Sequence, residues 1–112
     1  MAETIDLNEI KKEHSVLEIA VFNQEGVVLH TTQETDFIIP KEVYALIGSA
    51  MSFIGLNYNQ TPEKAILELE DIGFLIKPIN PRTYVIVEYK KDFNTKPEDC
   101  ARKVVSLYKS LN

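Results

Sequence analysis

From Val43 to Pro62 no side chain carries a charge, and that stretch constrains the fold more than any other. Residues 41–57 (KEVYALIGSAMSFIGLN) read as a helix. Pro40 is tolerated at its first turn, and Asn57, Asn59 and the Thr61-Pro62 pair end it. At about 100° per residue, Val43, Leu46, Ile47, Ala50 and Ile54 share one side, the expected core-facing stripe. Tyr44, Gly48, Met51 and Gly55 make a second stripe at spacings of four, three and four. A helix lying on a sheet needs only one apolar stripe. The second predicts a patch that something must cover, either the C-terminal helix or another molecule. A twofold dimer covers it with its own copy. A dimer interface is therefore expected at Tyr44, Gly48, Met51 and Gly55, where the glycines' missing side chains let a second helix come close. Ala65, Leu67 and Leu69 of an adjacent edge strand join it.

The remaining segments are mostly strands. Residues 15–23 (SVLEIAVFN) are apolar on both faces and read as an interior strand. Gln24-Glu25-Gly26 is a turn, and Val27–Thr32 the return. With residues whose numbers sum to about 49 facing each other, His30 would oppose Ile19. Residues 64–71 (KAILELED), 74–79 and 83–89 follow as a meander, with turns at Asp71-Ile72-Gly73 and Asn80-Pro81-Arg82. The both-faced strands 16–22 and 84–88 belong in the middle, and the acidic strand 66–71 at an edge. Asp6 with Glu9 reads as a capping box before a short helix within 1–14, a helix or arm. Thr95 with Glu98 reads as a second one, opening a helix over 97–111. Ala101, Val104, Val105, Tyr108 and Leu111 form its apolar face. The order β-β-α-β-β-β-α, after the short helix, predicts an α+β fold: one domain over residues 1–112, a five-stranded antiparallel sheet with helices packed on it.

Chemistry is scarce. Glycines stand only at 26, 48, 55 and 73, which builds neither a dinucleotide fingerprint nor a P-loop. Gly48-Ser49 lacks the second glycine of a nucleophile elbow. His14 and His30 are too far apart along the hairpin to share a metal ion, and neither a metal nor another cofactor is expected. No nucleophile–base or carboxylate pair stands out, so no enzyme is expected. Twelve Lys plus Arg against seventeen Asp plus Glu give a net charge of −5, a poor match for nucleic acid. The one cysteine, Cys100, allows no internal disulfide and reads as a small packed residue in a reducing cytoplasm. The N-terminal segment has no apolar signal region, and no apolar run is long enough to span a membrane.

The hairpin VLEIAVFNQEGVVLHTT resembles the opening hairpin of the roadblock family of dynein light chains. The stretch AILELEDIGFLIKPINPRTYVIVEYKKDFN is similar to that family's three-strand meander, including the I-x-P-I ending and the T-Y-V-I-V last strand. The resemblance covers roughly residues 15–111. It implies a sheet order of 2-1-5-4-3, an architecture related to longin domains and profilins, and a homodimer or paralogue heterodimer through the middle helix and third strand. It further implies a non-enzymatic platform for a small Ras-like GTPase, a GTPase regulator, or a scaffold or motor-complex subunit. A longin-type trafficking or tethering domain is the alternative. Two features depart from the family pattern: the N-terminal helix is short, and the loop KKDFNTKPED lacks the usual run of small residues. Of the two arginines, Arg82 in its turn is the better placed to reach a partner's nucleotide, although a solvated turn residue is the simpler reading.

Overall fold

The computed structural model describes residues 6–33, 41–92 and 94–110. Pro40, expected at the first turn of the middle helix, the start of the N-terminal arm and Leu111 lie outside them. The elements are α1 (Leu7–His14), β1 (Glu18–Asn23), β2 (Val28–Thr31), α2 (Lys41–Tyr58), β3 (Ala65–Glu68), β4 (Ile72–Asn80), β5 (Thr83–Lys90) and α3 (Pro97–Ser110). The five strands form one antiparallel sheet in the order β2-β1-β5-β4-β3. The two strands apolar on both faces sit inside it, and the acidic one at its edge. That is the arrangement the burial pattern demands, because only an interior strand covered on both faces can hide side chains of both parities.

Local chemistry places the boundaries. Asp6 caps α1, its carboxylate accepting from the N–H groups of Asn8 at 3.1 Å and Glu9 at 3.2 Å. Ser15, in the left-handed region at φ 54°, ends α1, so β1 starts at Glu18 and not at residue 15. Asn23 builds the first hairpin turn: its Oδ1 accepts from the N–H groups of Glu25 at 2.9 Å and Val27 at 3.0 Å. Gly26 supplies the φ of 88°. The hairpin register differs from the expectation. Phe22 already faces Val28, one residue off the expected pairing, and an irregularity between Val21 and Phe22 adds a second, so His30 opposes Val21 rather than Ile19. The second capping box also does not form. Pro97 takes the first helical position, the Cys100 N–H donates to the Lys96 carbonyl at 3.0 Å, and the buried Thr95 hydroxyl caps nothing. Glu98 turns instead to Lys64 at 2.8 Å.

The sheet separates two cores. On one face, α1 and α3 cover Ile19, Val21, Leu75, Val85 and Val87 with Leu7, Ile10, Cys100, Ala101 and Val104. On the other, α2 lays Tyr44 and Met51 against Ala20, Phe22, Phe74, Ile76, Tyr84 and Ile86. Alternation along β1 and β5 assigns each side chain to its layer.

Candidate interaction surface

α2 faces the sheet with the stripe expected to face a partner. Tyr44 is fully buried and Met51 nearly so, and both glycines of the stripe are buried as well. The Tyr44 ring meets Phe22 at 4.7 Å between centroids. A Cβ at Gly48 would stand 2.8 Å from the Gln24 Cα, and one at Gly55 would stand 2.7 Å from the Gln60 carbonyl oxygen. The glycines thus admit the chain's own hairpin turn and helix exit, not a second helix. The interface expected at Tyr44, Gly48, Met51 and Gly55 is corrected accordingly: these residues are spent on the core.

The stripe expected to face the sheet mostly points outward. Leu46 is 68% exposed, Phe53 beside it 74% and Ile54 61%, with Ala50 exposed between them. Only Ile47 and Val43 are half-buried, and Ile47 packs against the core's margin. Leu56 and Tyr58 extend the exposed surface toward the helix end. Helical periodicity finds two stripes; it does not say which one meets the sheet. The signal that decides it is size and closeness. Two glycines, three residues before and four after a central Met, let the hairpin turn at Gln24 and the helix exit at Gln60 and Pro62 close onto that side, as the bulky branched stripe does not.

The remaining expected residues lie on β3 and just beyond it. Ala65 is half-buried against the α2-side core, while Leu67 and Leu69 are 57% and 54% exposed. Leu67 opposes Phe74, a member of that core, so Leu67 faces the same side of the sheet as α2. Leu46, Phe53, Ile54, Leu67 and Leu69 therefore put a broad apolar surface on one side of the molecule. Polar groups frame the strand: Lys64 pairs with Glu98 and Lys91 with Glu68, each at 2.8 Å. Those hydrogen-bonded carboxylates raise the pKa of both lysines, and Lys64 in turn lowers that of Glu98.

Other candidates stay apart. The His14 Nδ1 lies 2.9 Å from the Ile10 carbonyl, and the His30 Nδ1 meets the Tyr108 hydroxyl. Among the described residues no group of three or more His, Cys, Asp or Glu side chains is placed to hold a metal ion. Cys100 is buried, and burial pushes its thiol pKa up to about 12. Arg82 is exposed in its turn. A cleft of about 290 Å³ between the end of α2 and the β4–β5 turn is lined by groups such as Ser52, Asn59, Pro62 and Pro81, without an ionisable pair. No described helix is long and apolar enough to cross a membrane.

No family model matches the chain, and no curated protein matches it in sequence. Solved structures match it in fold. MglB of Myxococcus xanthus superposes with a TM-score of 0.68 at 11% identity, over 91% of this chain and 90% of its own. The gliding protein MglB of Thermus thermophilus gives 0.72 at 10% identity, over 94% and 84%. A roadblock/LC7 domain from Streptomyces avermitilis gives 0.70 at 14% identity, over 97% and 95%. The chain has the roadblock-type fold, with the sheet order that the sequence resemblance implies.

Proposed function

We propose that the chain is a non-enzymatic, cytoplasmic interaction module that works as a dimer and presents a platform to a small Ras-like GTPase or to a scaffold protein. The observation that carries this reading is the exposed apolar surface of Leu46, Phe53 and Ile54 on α2 with Leu67 and Leu69 along the β3 edge. An apolar area of that breadth is disfavoured in water and marks an interaction site. A twofold axis beside β3 covers it economically, bringing two α2 helices together on one side of a sheet continued through two β3 edges. The two edges of the sheet differ in a way that favours this. β2 carries a register irregularity, a device that discourages strand addition, whereas β3 runs in regular register to its end. The GTPase or scaffold partner follows from the resemblance of the hairpin and meander to roadblock proteins, and the roadblock-type fold supports it.

Light scattering behind a sizing column tests the reading. The expected mass is twice the 12.8 kDa of the chain. Pull-downs with Ras-like GTPases in both nucleotide states then test the platform. A mass of 12.8 kDa at all concentrations would overturn the dimer and leave a longin-type tethering module in its place.

A further inference from the structure

Resting on that dimer, we propose that the partner is a second copy of this chain, joined β3 to β3 in antiparallel with Ile66 on the twofold axis. The backbone sets the first constraint. The Leu69 N–H donates to the Ile72 carbonyl at 2.7 Å, and β3 pairs with β4 as Ala65 with Ile76, Ile66 with Leu75, Leu67 with Phe74 and Glu68 with Gly73. Hydrogen-bonded and open positions alternate along an antiparallel pair. Ala65, Leu67 and Leu69 therefore aim their backbone groups at β4. Ile66 and Glu68, and Lys64 in the same phase, aim theirs at the outer edge of the sheet.

Symmetry sets the second constraint. An axis normal to the sheet keeps each side chain on its own face, so a residue of β3 opposes only partner residues of its own parity. Four registers then remain near the strand's centre. With Ala65 on the axis, Pro62 opposes the partner's Glu68 and the ladder loses a donor. With Glu68 on the axis, two carboxylates oppose each other. With Leu67 on the axis, Ile66 opposes the partner's Glu68, and Glu63 opposes the partner's Asp71. With Ile66 on the axis, Lys64 opposes the partner's Glu68 twice over, Ala65 opposes the partner's Leu67, and no like charges meet.

Existing ion pairs extend this register. Ile66 opposes Leu75 of the α3-side core, so Lys64, Ile66 and Glu68 share that face. Lys64 already holds Glu98 there, and Glu68 holds Lys91. Across the seam they line up as Glu98, Lys64, the partner's Glu68 and the partner's Lys91, with charges alternating in sign. The edge is thus complementary to itself, and a related chain lacking opposite charges at these two positions is penalised at both ends of the seam.

The charge-swapped variants Lys64→Glu and Glu68→Lys test the register, with mass read by light scattering over a concentration series. Both residues are exposed, and unchanged circular dichroism confirms the fold. Each variant alone sets two like-charge pairs across the seam and weakens self-association about tenfold. Mixed in equal amounts, the two variants restore the dimer, because each end of the mixed seam again sets one acidic side chain against one basic one. Glu98→Gln removes the in-chain partner of Lys64 and leaves the dimer intact. If Glu68→Lys alone remains fully dimeric and mixing changes nothing, the register is overturned while the dimer stands. A Glu98→Gln variant as weak as Lys64→Glu overturns it too. A monomeric wild-type chain removes this proposal together with the dimer itself.

Discussion

The rings of Phe22 and Tyr44 meet at 4.7 Å between centroids with their planes tilted by 50°, and both side chains are fully buried. This contact pins the first half of α2 to β1 and turns the helix so that Leu46 and Phe53 face water. Tilted aromatic pairs add to ordinary area burial. Truncation to Tyr44→Ala should lower the unfolding free energy by about 3–5 kcal/mol, read from urea denaturation of the variant. Met51→Glu should behave as a folding defect and not as a folded monomer, because it buries an unpaired carboxylate in the same layer. A cooperative melt near that of the wild type would contradict the orientation of the helix.

Phe53→Glu should do the opposite. The side chain is 74% exposed, so the monomer fold loses little. A charge in the middle of the apolar surface should abolish self-association, giving a mass of 12.8 kDa with unchanged circular dichroism. An unaltered dimer would remove α2 from the interface.

Glu88 offers a test by pH. Burial raises its pKa above the ordinary 4.5, and Glu18, directly opposite on β1, raises it further. The folded chain therefore holds the Glu88 proton more tightly than the unfolded chain. The stability this contributes is fully present below pH 4.5 and is lost as pH rises through the folded value. Glu88→Gln has no carboxylate to ionise. It should melt higher than the wild type at pH 7, and the advantage should shrink toward pH 4. An advantage that does not change with pH would point to packing instead.

Cys100 should resist thiol reagents at pH 8 in the folded protein and react stoichiometrically once denatured. It is fully buried on α3, and its pKa is pushed up to about 12, so almost no thiolate exists to attack. Rapid labelling of the native chain would show that α3 opens readily.

Strands, turns and their order were legible because they rest on local chemistry. Val85, Ile86 and Val87 are apolar on both faces, which places β5 inside a sheet wherever the rest of the chain goes. Asp6 caps its helix, and Gly26 makes its turn, through atoms a few residues away. Thr95 reads as well locally, but Lys96 and Pro97 start the helix, and Glu98 is drawn to Lys64, a residue distant in sequence. His30 pairs elsewhere for a similar reason, since the turn and one irregularity between Val21 and Phe22 each displace the pairing by a residue.

The sequence by itself determined that α2 carries two apolar stripes and that one of them would stay uncovered by a single sheet. Which stripe it is was decided only in the tertiary structure. The choice depends on how close the helix axis can come to Gln24 and Pro62, and Gly48 and Gly55 allow that approach on one side alone. Close packing rewards the side on which backbone can meet backbone. Tyr44 and Met51 therefore went to the core, and Leu46, Phe53 and Ile54 were left for whatever covers the molecule.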